Sequence, residues 1–440
     1  MRTTLILCLT LALLALPFTA LAIPPGFRVD EMVVGLNHPV AFAFAPDGRI
    51  FISERIAGEI RVVDRGALLK EPFATVQISA SGERGLLGIA LDPGFATNGF
   101  LYVFHSVTTS EQRITRFRAE GNHGVDETII KDGIPASVLH NGGSIGFGPD
   151  GKLYFTVGDT GNPELARKIF EIPGKLHRVN ADGSLPDDNP WPRASAFCLG
   201  CRNSFDFTFR PSEVPVVIYA SENGPIDNDE INRIVAGQDY GWPLASGVTH
   251  DEIYIDPIYT WSPTRAPVGI AYYVGHNFPL EYNGDLFVAE YTTGNILRLH
   301  LNDEGTAVLQ DSAFLNGEYG LIYDLVVAPD GTLWFSTASS LYRIVNDHPP
   351  QSFVRGNVDG TNGIDAHDAA LLLSYILTGH PVPYCMAAAD VNDDNLVDPN
   401  DVTVLLSLIY GAMTHLPTPF PECGLDYKSE LSCESQEACQ

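Results

Sequence analysis

One short phrase recurs along this chain and limits its fold more than any other feature. FAPDGRIFIS at 44–53, FGPDGKLYFT at 147–156 and VAPDGTLWFS at 327–336 are copies of one unit. Pro-Asp-Gly makes a tight turn, and the β-branched and aromatic run behind it makes a strand. Looser copies stand at 91–106, 209–222 and 282–291. Most are followed by a second short strand with a basic–apolar pair, as in GEIRVVD (58–64), RITRFRAE (113–120), GKLHRVN (174–180), NILRLHL (295–301) and SLYRIV (340–345). Six such units fill residues 27–345. Repeats of about fifty residues built from short strands and Gly/Pro/Asp turns predict a six-bladed β-propeller. A sandwich would not explain six related units.

The ends of the chain read differently. Residues 1–22 predict a signal peptide: Arg2 is basic, Leu5 to Leu16 is apolar, and Ala20-Leu21-Ala22 offers a small-residue cleavage site. The apolar run is too short to span a bilayer, and no later stretch is long enough. We therefore expect an exported protein, periplasmic or extracellular, with no membrane span. The net charge of −28 argues against nucleic acid and anionic membranes, and suits calcium. Outside the leader there are six cysteines, 198, 201, 385, 423, 433 and 439, an even number that favours disulfides without fixing their pairing. Cys198-x-x-Cys201 is expected to close on itself, because no further zinc ligands stand at good spacing.

Residues 346–353 (NDHPPQSF) read as a stiff linker. Two new repeats follow at 356–377 and 389–410, each an Asp/Asn-rich loop feeding an amphipathic helix. In the second, Asp390, Asn392, Asp394, Asp398 and Asp401 fall at positions 1, 3, 5, 9 and 12 of a calcium loop, with the Leu396 carbonyl at 7. The first offers Asn357, Asp359, Thr361, Asp365 and Asp368 with the Gly363 carbonyl; it carries less charge and is expected to bind more weakly. Both end in Asp where an EF-hand has Glu. Residues 354–412 resemble a type I dockerin module, a small helical calcium-binding domain, and the resemblance implies a cohesin partner. Residues 413–440 read as a cysteine-containing tail.

The first domain resembles the glucose/sorbosone dehydrogenases, soluble propellers that use pyrroloquinoline quinone (PQQ) and calcium to oxidise aldoses. The matching segments are GERGLLGIALDPGF (82–95), HNGGSIGFGPDGKLYFTVGD (140–159), GKLHRVNADGSLPDDNP (174–190), CRNSFDFTF (201–209), ENGPIDNDEIN (222–232) and YGWP (240–243). The resemblance implies oxidation at the anomeric hydroxyl to a lactone, with hydride passing to PQQ and His140 as base. It implies that Arg202 and Asn203 contact the cofactor, with Arg202 stabilising negative charge, and that the Gly224 and Pro225 carbonyls hold calcium. Asp229 and Glu230 would support that region. The chain departs from the family where cations are common: Leu321-Ile322-Tyr323-Asp324 stands for an Arg-x-Arg-Asp pattern, Tyr291-Thr292-Thr293-Gly294 lacks a lysine, Ser144 replaces an arginine and Glu83 a glutamine. Arg84 and Arg265 are the candidates to compensate. Two other readings stand beside this one. A non-catalytic propeller would bind a carbohydrate or protein, tethered by the dockerin-like module. A calcium-dependent hydrolase would recruit Glu222, Asp229 and Asp159.

Overall fold

A computed structural model describes residues 23–211, 213–347, 351–361, 363–383, 385–426, 431, 433 and 439. The signal peptide predicted at 1–22 lies outside the described residues, as do 348–350 of the linker and most of 427–440. Six antiparallel sheets form six blades. The innermost strands are Pro39–Phe44, Leu86–Leu91, Ile145–Phe147, Ser204–Phe209, Pro267–Tyr272 and Leu325–Val327. Each Pro-Asp-Gly turn joins an innermost strand to the next strand out, as Phe147↔Leu153 shows in the third blade.

Second strands are the best buried. Every residue of Ile50–Glu54, Leu153–Val157, Ile218–Glu222 and Leu286–Glu290 is buried. Strands covered on both faces lose the in–out alternation and read as continuous apolar runs. Several of them end in an acid at the same end of the ring. Glu54 accepts from Asn37 N (2.9 Å), Glu222 from Asn203 N (2.6 Å) and Glu290 from Trp261 Nε1 (2.9 Å). Buried carboxylates thus pin mouth loops (Glu54, Glu222) and join neighbouring blades (Glu290), and that end of the ring becomes rigid.

The ring is closed by exchange of ends. Phe27–Val34 pairs with Ser340–Asn346 and supplies the outermost strand of the last blade. The third blade has three regular strands, and its outer edge is met by the 180–203 segment through the His177↔Ala196 bridge.

In the C-terminal region, helices Ala366–Thr378 and Pro399–Ile409 each begin with a capping box, Asp365 with Asp368 and Asp398 with Asp401. A single helical turn, Met386–Ala389, leads into the second loop, where no entering helix was expected. The boundaries drawn from sequence shift here. Phe353 is buried and bridges Gly424, so it belongs to the helical unit and not to the linker. The segment 413–426 is part of the same unit: Leu416 is buried in its core and Phe420 packs on it. Arg355, fully buried, reaches the Asp390 carbonyl, Asp393 and Asp426. Disulfides Cys385–Cys433 and Cys423–Cys439 fasten the tail. Cys198 and Cys201 correct the sequence expectation: they are buried thiols whose sulfurs stand 3.6 Å apart, a contact and not a bond.

Candidate active site

A cavity of about 690 Å³ runs down the axis, lined by all six innermost strands. At the end where the second-strand acids lie, its mouth is formed by Arg55, Glu83, Gly142 to Ser144, Asn203, Asn223, Tyr291 and Tyr323. The volume lies in the range of small-molecule sites.

His140 sits beside this mouth on the loop that enters the third blade. Its backbone is left-handed, with φ of 58°, which few residues other than glycine adopt without strain. Two features hold it there. Its N–H donates to Glu83 Oε2 at 2.6 Å, and its carbonyl accepts from Thr160 N at 3.2 Å. The following glycines are required: Gly143 has φ of 108°, and a Cβ there would lie 2.5 Å from Leu87 Cδ1. Gly158 is needed for the same packing, since its Cβ would lie 2.4 Å from the His140 carbonyl.

The imidazole is 16% exposed and its Nδ1 lies 2.6 Å from Asp159 Oδ1. The same oxygen accepts from Gly161 N at 2.8 Å, and Oδ2 accepts from Trp242 Nε1 at 2.9 Å. Burial pushes the Asp159 carboxyl up; the hydrogen bonds from His140, Gly161 and Trp242 outweigh it and hold the group below its usual value. A carboxylate fixed on Nδ1 leaves Nε2 to take or give a proton, since no described residue bonds Nε2.

Arg202 follows on the next blade. Its guanidinium donates to the Asn223 carbonyl at 2.5 Å and lies 5.5 Å from the Trp242 ring centroid. Trp242 therefore ties the His140–Asp159 pair to Arg202. Asn203 lines the cavity, and its Oδ1 accepts from Gly142 N at 3.3 Å. Asp229 shapes the Gly224-Pro225 loop by accepting from Gly224 N (2.7 Å) and Ala266 N (2.7 Å). Among the described residues no hydrogen bond reaches the Gly224 or Pro225 carbonyl, so both remain available as oxygen donors.

Arg84 and Arg265 do not take the place expected of them. Arg84 is buried and donates to the Thr109 carbonyl, away from the cavity; Arg265 is exposed and meets the site only through its backbone. The cation that lines the cavity is Arg55, which sequence reasoning missed. Also missed were Asp206 and Asp324, which face each other's charge from the cavity wall. Burial raises Asp206 to about 6, and burial together with Asp206 raises Asp324 well above the usual range. The carboxylates named for a hydrolase do not gather. Glu222, raised to about 7 by burial and then by Glu230, holds the Arg202 and Asn203 N–H groups, while Asp159 and Asp229 are engaged as described. Among the described residues no three Asp, Glu, His or Cys side chains gather about one point. In the C-terminal loops the predicted ligands instead bond backbone: Asp368 accepts from Val358 N (2.6 Å) and Asp401 from Val391 N (2.7 Å).

Comparison with known proteins decides the family. The glucose/sorbosone dehydrogenase model matches residues 36–345. The chain belongs to that family. Residues 355–409 match the dockerin type I domain. The chain is 27% identical over 371 residues to the aldose sugar dehydrogenase YliI of Escherichia coli, covering 78% of this chain and 97% of that protein. It is 32% identical over 265 residues to quinoprotein glucose dehydrogenase B of Acinetobacter calcoaceticus, covering 52% of this chain and 55% of that one. Among solved structures, the PQQ-bound aldose sugar dehydrogenase of Streptomyces coelicolor superposes with a TM-score of 0.65 at 31% identity, covering 74% and 99% of the two chains. No helix among the described residues is long and apolar enough to cross a membrane.

Proposed function

We infer that this glucose/sorbosone dehydrogenase family member oxidises an aldose at its anomeric hydroxyl to the lactone, with PQQ and calcium, in an exported form. The observation that carries the reading is the His140–Asp159 pair, 2.6 Å apart and anchored by Trp242, beside an axial cavity. The donor set fits the cofactor's reacting side: one guanidinium (Arg202), one amide (Asn203) and two free carbonyls for calcium (Gly224, Pro225). PQQ, when bound, supplies the two-electron acceptor for the substrate's anomeric carbon.

The chain's own residues do the rest. His140 Nε2 receives the hydroxyl proton, because Nδ1 is committed to Asp159. The ionised Asp159 then stabilises the imidazolium. Arg202, braced by the Asn223 carbonyl and the Trp242 face, offers fixed positive charge without reorganising. Two tail disulfides favour an oxidising compartment. The dockerin-type module, with calcium on its two loops, tethers the propeller to a cohesin-type partner.

One observation favours a second reading, a propeller that binds a carbohydrate or protein without turnover: among the described residues the cavity wall sets one cation, Arg55, against Glu83, Asp206 and Asp324. The test for both is a dye-linked aldose screen on protein reconstituted with PQQ and calcium. Turnover that is lost in His140→Ala supports oxidation. Sugar binding without turnover, in protein saturated with PQQ, supports the second reading.

A further inference from the structure

The mouth of the cavity has an aromatic wall where cations were expected. Tyr323 and Tyr291 both line it, with ring centroids 5.8 Å apart at 45°. The His38 ring packs behind Tyr323, with centroids 6.2 Å apart. Tyr323 is 8% exposed, so its ring is fixed, while Tyr291 is half-buried. Neither phenol hydroxyl has a hydrogen-bond partner among the described residues, and neither is sealed away from the cavity. Burial raises the Tyr323 hydroxyl, so it stays protonated and can donate.

Arg55 completes this wall from the first blade. One guanidinium nitrogen donates to the Gly82 carbonyl (2.8 Å) and the Arg84 carbonyl (3.2 Å). These bonds aim the group, and they leave the other terminal nitrogen without a partner among the described residues. Its charge acts on Tyr323. The carboxylate of Glu83, which also lines this rim, is turned toward the backbone N–H of His140. The wall therefore combines flat aromatic surface, two phenol donors and one aimed guanidinium. That combination suits a planar aromatic polycarboxylate: ring face against tyrosine, one carboxylate on the guanidinium, others on phenol O–H groups. It does not suit a ligand held by charge alone.

We propose that Arg55, Tyr291 and Tyr323 form the anchoring wall for the PQQ-type cofactor, holding it by one ion pair, two phenol hydrogen bonds and stacking in place of a cationic cradle. The proposal rests on the dehydrogenase reading above. None of the three residues touches the proton-transfer pair, so their effect falls on affinity.

The experiment is PQQ titration of the calcium-loaded full chain by tryptophan fluorescence quenching, at low and high salt, with folding of each variant checked by thermal unfolding. The variants are Arg55→Gln, Tyr323→Ala, Tyr323→Phe and Arg265→Gln. Arg55→Gln and Tyr323→Ala should each weaken binding at least tenfold. Tyr323→Phe, which keeps the ring and loses one donor, should fall between, and the exposed Arg265→Gln should bind as the parent does. The parent's affinity should change less than tenfold between 50 and 300 mM salt, roughly the effect expected of one exposed ion pair. Equal PQQ affinity in parent, Arg55→Gln and Tyr323→Phe would overturn the anchoring wall while leaving the dehydrogenase reading intact. No binding by the parent protein would remove that reading and the wall with it.

Discussion

Replacing Asp206 by asparagine should stabilise this protein at alkaline pH and leave it unchanged in acid. Asp206 shows surface only to the axial cavity, and burial raises its carboxyl from 3.8 to about 6. A carboxyl raised on folding contributes stability that is complete below its unfolded value and is lost as pH climbs through its folded value. At ~1.4 kcal/mol per pH unit, the charged group costs about 3 kcal/mol at pH 8. Asparagine removes that cost and keeps both contacts. Its carbonyl can accept from Ile270 N, now 3.0 Å from Oδ2, and its amide can donate to Ser144 Oγ, now 2.7 Å from Oδ1. Relief of Asp324, whose carboxyl Asp206 raises, adds to the gain. The assay is thermal unfolding by calorimetry at pH 4 and pH 8 with calcium fixed. The propeller transition should rise by roughly 5 °C at pH 8 and stay in place at pH 4. Asp324→Asn is the contrast. Both Asp324 oxygens accept backbone N–H groups, from Phe42 (3.1 Å) and Leu325 (2.9 Å), so an amide sets donor against donor and costs about 1–3 kcal/mol. Equal shifts for Asp206→Asn at both pH values, or a loss at pH 8, would refute the electrostatic account.

Other outcomes follow from the same geometry. Asp159→Asn should lower kcat by about 10²–10⁴ with little change in PQQ affinity, because it removes the group that orients His140; stopped-flow reduction assays separate the two. The parent propeller should melt at lower temperature as pH rises from about 5 to 8, since Glu222, raised to about 7, adds to Asp206; a flat profile would count against both groups. Reduction of Cys385–Cys433 and Cys423–Cys439 should destabilise the helical module by about 3–4 kcal/mol per bridge and leave the propeller transition unmoved. Calcium titration should resolve two classes for the C-terminal loops, besides any site at Gly224 and Pro225, with Asp390→Ala abolishing the tighter loop class.

The parts of this molecule that depend on local spacing were readable in the sequence. The Pro-Asp-Gly turns gave the blades, the loop spacing gave the module, and the histidine before Gly142-Gly143 marked the loop that stands beside the cavity mouth, where the proposed base is. What escaped was set by ring closure. Arg55 and Tyr323 are 268 residues apart in sequence and share one wall because the first and last blades are neighbours. Trp242 reaches Asp159 across 83 positions for a similar reason. Arg84 misled because proximity to the GLLG segment says nothing about side-chain direction, and it points to Thr109. Asp206 and Asp324 stand 118 positions apart, and only the axis brings their charges together. The CxxC pair looked like a disulfide because sequence registers spacing and not the distance between sulfurs.

The exchange of ends in the last blade sets an order of events during synthesis. Phe27–Val34 leaves the ribosome first and has no partner until Ser340–Asn346 follows it. For the whole time that five blades are being made, an eight-residue edge strand waits unpaired. Its Arg28, Asp30 and Glu31 charges suit an edge that must not pair with a neighbouring chain. The ring shuts only when the last blade is made, immediately before the two acidic loops emerge. A chain truncated after residue 330 should therefore show a protease-sensitive ring, and one truncated after 360 a resistant one, before any loop has met calcium.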